Sequence, residues 1–113
     1  MPEINQDLVD EQVYSWTEMH KKSAVSFLVL AALDTKNMWS KDIKNWIREK
    51  TGWEMSERSL YRVLRRMEKQ GSIEFTSEAA ARTGAERKVF TITPEGLAIL
   101  NAIRAELIYL VKP

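Results

Sequence analysis

The chain has 113 residues, 44% of them hydrophobic with four Trp among them, enough for one domain with a modest core. It contains no Cys and a single His, which excludes a disulfide framework, a thiolate metal site and a histidine metal cluster. The net charge of +1 says little as a sum, but residues 1–20 hold acids and no Lys or Arg, whereas Lys41 to Lys69 holds nine basic residues against five acidic ones.

The start, MPEINQDLVDEQ, lacks the basic flank and apolar run of a signal peptide, and the longest apolar run, Phe27 to Leu33, is too short to span a bilayer. A soluble, cytoplasmic protein without a membrane partner is the expectation. Asn5 to His20 reads as an amphipathic helix, with Val9, Val13 and Trp16 at i, i+4 and i+7. That stripe can pack on its own domain or on a partner. Ser23 to Leu33 is apolar nearly all round, the pattern of a second helix central to a small core.

Met38 and Trp39 suit a short extended piece before Ser40, a candidate N-cap with Asp42 in the first turn. The helix predicted over Lys41 to Lys50 puts Ile43, Trp46 and Ile47 on one side, and Gly52 offers its stop. After a turn, Thr51 to Met55, Ser56 caps a third helix that Gly71 terminates. The period then changes to two: Ile73 and Phe75, then Phe90 and Ile92, alternate with polar residues, so two strands flank a polar loop, Ser77 to Arg87. Thr93-Pro94-Glu95 opens a last helix, Glu95 to Val111, with Leu100, Ile103, Leu107 and Leu110 at 3-4-3 spacing.

The stretch SERSLYRVLRRMEKQG, Ser56 to Gly71, carries the chemistry. At about 100° per residue, Arg58, Arg62, Arg65 and Lys69 share one narrow face with Arg66 and Ser59 at its edge, while Leu60, Val63, Leu64 and Met67 lie opposite. A solvated helical face is one reading of such charge. The other is a helix-turn-helix, whose second helix presents its basic face to a DNA major groove while the shorter helix before it braces it. Arg58 and Arg62, nearest the N-terminus, are then the candidates for base edges. Ser56, Ser59 and Tyr61 offer hydroxyls to phosphates or bases, and Arg65, Arg66 and Lys69 suit phosphates. Arg82, Arg87 and Lys88 would arm the hairpin as a wing. For Tyr61 a half-buried packing role is the alternative, for Arg66 an ion pair with Glu68 or another acid, and for Lys41 and Lys44 a solvated surface.

With its element order, LYRVLRRMEKQGSIE (Leu60 to Glu74) and ERKVFTITPEG (Glu86 to Gly96), the chain resembles the PadR family of winged-helix transcriptional regulators over roughly residues 23–110. Within it, a likeness to the type that modifies the cyanobacterial circadian clock is a narrower possibility. Members usually carry Gly-Tyr before the second helix, where this chain has Met38-Trp39, and often a Pro after the recognition-helix Tyr, where it has Arg62. The resemblance implies a mainly α fold with a small β-hairpin wing, flanked by N- and C-terminal dimerisation helices. It divides the chain into a dimer-contact helix (1–20), a winged helix-turn-helix domain (21–94) and a C-terminal dimerisation helix (95–113). Val9, Val13, Trp16, Leu100, Ile103, Leu107 and Leu110 are the interface residues this suggests.

Function follows as an expectation: a homodimer that binds double-stranded DNA at an inverted repeat through residues 56–70 and the wing 77–88, acting as a repressor associated with the bacterial nucleoid. Some PadR relatives bind flat aromatic ligands between protomers, so a small aromatic effector near Trp16 is a possible partner. No nucleophile motif, phosphate loop or dinucleotide fingerprint occurs, so neither an enzyme nor a cofactor is expected. The rival from another class is a winged-helix module for protein interaction, with the terminal helices as its working surface.

Overall fold

The computed structural model describes residues 3–79 and 84–111, the last four through their backbone alone. In chain order the described residues form α1 (Gln6–Thr35), β1 (Met38–Trp39), α2 (Ser40–Thr51), α3 (Glu57–Gln70), β2 (Ile73–Ala79), β3 (Glu86–Ile92) and α4 (Pro94–Val111). Helices dominate, with one small antiparallel sheet, as a winged helix-turn-helix requires. Among the described residues no helix is long and apolar enough to cross a membrane.

The two helices expected over Asn5 to His20 and Ser23 to Leu33 are a single helix of 30 residues. Asn5 caps it, its side chain accepting a hydrogen bond from the Leu8 N–H at 3.2 Å. Nothing between the two apolar stretches breaks a helix: there is no Gly or Pro, and Glu18 meets Lys21 one turn on at 3.8 Å. What changes near residue 20 is the environment. Residues 3–16 are exposed, whereas Val25, Val29, Leu30 and Leu33 are buried, so the first half of α1 projects and the molecule measures 64 × 31 × 23 Å.

Helix α2 starts one residue earlier than its sequence suggests. Ser40 is its first residue, and the cap position belongs to Trp39, which makes no side-chain cap bond. Ile43 and Ile47 are wholly buried, and Gly52, at φ 74°, closes the helix with its N–H on the Arg48 carbonyl at 2.7 Å. At α3 the expected punctuation holds. The Ser56 side chain accepts from the Ser59 N–H at 3.1 Å, and Gly71, at φ 84°, ends the helix in a left-handed conformation that a side chain would strain.

The hairpin is longer than its apolar alternation indicates. Pairing of β2 with β3 runs from Ile73 opposite Ile92 out to Ala79 opposite Glu86, so both ends of the expected loop, residues 77–79 and 86–87, are strand. Alternation marks only the part of a strand that lies on a core, whereas the backbone ladder continues into water without it. β1 joins the other edge of β3, with Met38 opposite Phe90 and Trp39 opposite Val89, giving the order β1-β3-β2.

One core unites these elements: Val29 and Leu33 from α1, Ile43 and Ile47 from α2, Leu60, Leu64 and Met67 from α3, Ile73 and Phe90 from the sheet. Leu100 of α4 belongs to it too and is 0% exposed, so this residue holds α4 to its own domain and is not free to meet a second protomer.

Candidate nucleic-acid interface

Because Leu60, Leu64 and Met67 are buried, α3 has only one orientation available, and its opposite face points to solvent. Arg58, Arg62, Arg65, Arg66 and Lys69 are all exposed, and none of the ion pairs among the described residues involves them. Arg66 therefore does not pair with Glu68. Arg62, Arg65, Arg66 and Lys69 line one shallow depression together with Gln70. A helix some 10–12 Å across fits a major groove about 12 Å wide, and this one presents Arg58, Arg62, Arg65 and Lys69 at an i, i+4, i+7, i+11 spacing. Arg66, at the edge, also lines the groove between α1 and α4.

Two expected contact residues have local work. Ser56 caps α3 and its hydroxyl donates to the Ser59 hydroxyl at 2.9 Å, so both serines shape the start of the helix. Tyr61 is 44% exposed on the outer side of α3.

The wing's basic residues are laid on aromatic rings. Lys88 places its Nζ 4.1 Å from the centre of the Phe75 ring and 5.7 Å from that of Tyr61, bridging the wing and α3. The Arg87 guanidinium lies 4.6 Å over Trp39, with Lys41 Nζ 5.9 Å from the same ring. Such contacts contribute roughly 0.5–1 kcal/mol each at exposed sites. Register explains both sets: Trp39 is opposite Val89, so Arg87, two residues away, is its diagonal neighbour, and Phe75 is opposite Phe90, so Lys88 is diagonal to it. Arg82 lies outside the described residues.

Trp39 as a platform, and Lys41 beside it, are absent from the sequence-derived site. Only the pairing of β1 with β3, distant in sequence, brings them to the wing.

Of the expected interface residues, Val9, Val13 and Trp16 are 41%, 59% and 66% exposed on the projecting half of α1. Ile103 and Leu107 are half-buried on α4 and face Phe27 and Leu28 across a groove; the side chain of Leu110 lies outside the described residues. Trp16 stacks on His20 at 4.9 Å between ring centres, and His20 meets Trp53 edge-on at 5.9 Å.

The family model described as "Transcriptional regulator PadR-like family" matches residues 29–102. Among solved structures, a PadR family transcriptional regulator from Eggerthella lenta is similar with a TM-score of 0.76 at 23% identity, over 91% of this chain and 88% of that one. A PadR-like regulator from Bacillus cereus gives 0.70 at 25% identity, over 79% and 85%. Bacillus subtilis PadR, solved in complex with operator DNA, gives 0.63 at 22% identity, over 80% of this chain and 48% of that one. No curated protein matches the chain, and the narrower likeness to the clock-modifying type finds no support. A match over most of the chain, on a fold that carries a recognition helix and a wing, is enough to say that this protein belongs to the PadR-like family of transcriptional regulators.

Proposed function

We propose that this protein binds double-stranded DNA as a homodimer at an inverted-repeat operator and represses transcription in the bacterial cytoplasm. The observation that carries this is the α3 face: Arg58, Arg62, Arg65 and Lys69, exposed and without carboxylate partners among the described residues, on a helix anchored by Leu60, Leu64 and Met67. Cations left unpaired on a rigid helix suit a polyanion. The operator complex of the Bacillus subtilis relative supports the same use of this fold. Apolar side chains exposed on the first half of α1 (residues 6–20) and on α4, including Val13, Trp16, Leu97 and Ile99, supply surface for a second copy. Two recognition helices so joined would enter major grooves on one side of the duplex, with half-sites about 34 Å apart or a multiple of it.

The test is selection of binding sites from a random duplex pool, followed by titration at two salt concentrations. An inverted repeat is expected, with affinity falling steeply as salt rises, because each neutralised phosphate contributes about −0.9 to the log–log slope. Recovery of duplexes without a common sequence would leave backbone binding alone. No recovery at low salt would turn the exposed apolar stripe of α1 into the working surface of a protein-interaction module.

A small aromatic effector is a second element of the proposal. His20 and Trp53 line a groove of about 870 Å³ with Phe27, Ile103 and Leu107, and Trp16 stacks on His20 beside it. A flat apolar ligand seated there is expected to quench tryptophan fluorescence saturably and to lower operator affinity in step. Release of DNA without quenching would place the effector elsewhere.

A further inference from the structure

A single hydroxyl joins the end of the recognition helix to the start of the last helix. Thr93, buried at the base of the hairpin, donates its Oγ1 proton to the Gly71 carbonyl at 2.6 Å and accepts from the Gly96 N–H at 3.0 Å. Its own N–H donates to the Ser72 carbonyl at 3.1 Å. Ser72, also buried, sends both its N–H and its hydroxyl to the Met67 carbonyl in the last turn of α3. A hydroxyl has one proton to give and lone pairs to spare, so it alone among small side chains makes both Thr93 contacts at once. Gly96 completes the junction: a Cβ there would overlap the Ser72 carbonyl oxygen and press on the Ile92 side chain. The first turn of α4 thus lies flush against the turn that closes α3.

We propose that Thr93 is a positioning residue for operator recognition, setting the angle between α3 and α4 and hence the separation and twist of the two recognition helices in a dimer. This rests on the operator reading above, in which α4 helps join the protomers. The geometry makes the junction a fulcrum. With 18 residues, α4 extends about 27 Å from it, so a tilt of roughly 5° moves its far end by about 2 Å. DNA is sensitive on that scale, since one added base pair shifts a half-site by about 3.4 Å and turns it by about 34°. Thr93 touches no face that DNA would meet; it acts through the orientation of α3.

The full-length protein is titrated against duplexes carrying the selected half-sites at the preferred spacing, at one base pair less and one more, and against a single half-site. The wild type is expected to prefer one spacing by about tenfold or more, because a rigid dimer matches one register. Thr93→Val keeps the side-chain shape and loses both hydroxyl bonds; its preference is expected to fall below about threefold while single half-site affinity stays within about twofold. Thr93→Ser restores the wild-type profile. A merely structural role would weaken binding to every duplex by one factor and leave the spacing ratio unmoved.

Circular dichroism reports whether Thr93→Val folds. If it does not, Thr93→Asp decides, because a carboxylate still caps α4 through the Gly96 N–H but cannot donate to Gly71. Its spacing preference is expected to fall as that of Thr93→Val would. A sharp wild-type preference retained by the folded variant overturns the role of Thr93 alone. A wild type indifferent to spacing overturns the operator reading, and the positioning role with it.

Discussion

Arg62→Ala is expected to weaken binding to the selected operator by about 1–3 kcal/mol, roughly five- to 150-fold, with a smaller loss on a scrambled duplex. Arg62 lies on the outward face of α3, in its N-terminal half, exposed and outside every ion pair among the described residues. Its fork of donors can grip the O6 and N7 of one guanine, a contact that a wrong base cannot reproduce. Fluorescence anisotropy with both duplexes measures the two losses. Equal loss on both, with a salt slope lower by about one, would make Arg62 a phosphate contact. Folding stability should remain within about 0.5 kcal/mol of wild type, because an exposed side chain outside the core is removed.

Leu64→Ala, two residues further along the same helix, reverses the pattern. Leu64 is 0% exposed and packs in the core that α1, α2 and the sheet share, so truncation is expected to cost about 2–5 kcal/mol in urea unfolding. That is a large part of the roughly 5–15 kcal/mol that holds a small domain folded. Operator affinity per folded molecule should stay close to wild type, provided α3 keeps its seat. A cost under about 1 kcal/mol would show that α3 is held by something other than its apolar face. Together the two variants separate what α3 presents from what holds it.

Much of the fold was legible in the residues. Ser56 and Gly71 bounded α3 correctly because a cap side chain and a left-handed glycine act within one turn of the helix. Thr93-Pro94-Glu95 marked the start of α4 for the same local reason. Near His20 the apolar pattern changes while the helix continues: Lys21 and Lys22 change how it is solvated without altering its backbone. The wing strands run further than apolar alternation indicates because their outer half, Ser77 to Ala79 against Glu86 to Lys88, shows no such alternation.

The composition of the site divides in the same way. Local sequence determined the basic face of α3, since helical period alone aligns Arg58, Arg62, Arg65 and Lys69 opposite Leu60, Leu64 and Met67. It also determined the order of elements and, through them, the family. Tertiary structure decided what depends on pieces distant in the chain: Trp39 beneath Arg87, Lys88 between Phe75 and Tyr61, Leu100 in the core and not on an interface, and the Thr93 hydroxyl bound to Gly71 22 residues before it. Periodicity and caps report on neighbours within a turn or two, whereas these contacts exist only once strand register and helix packing have chosen which distant surfaces meet.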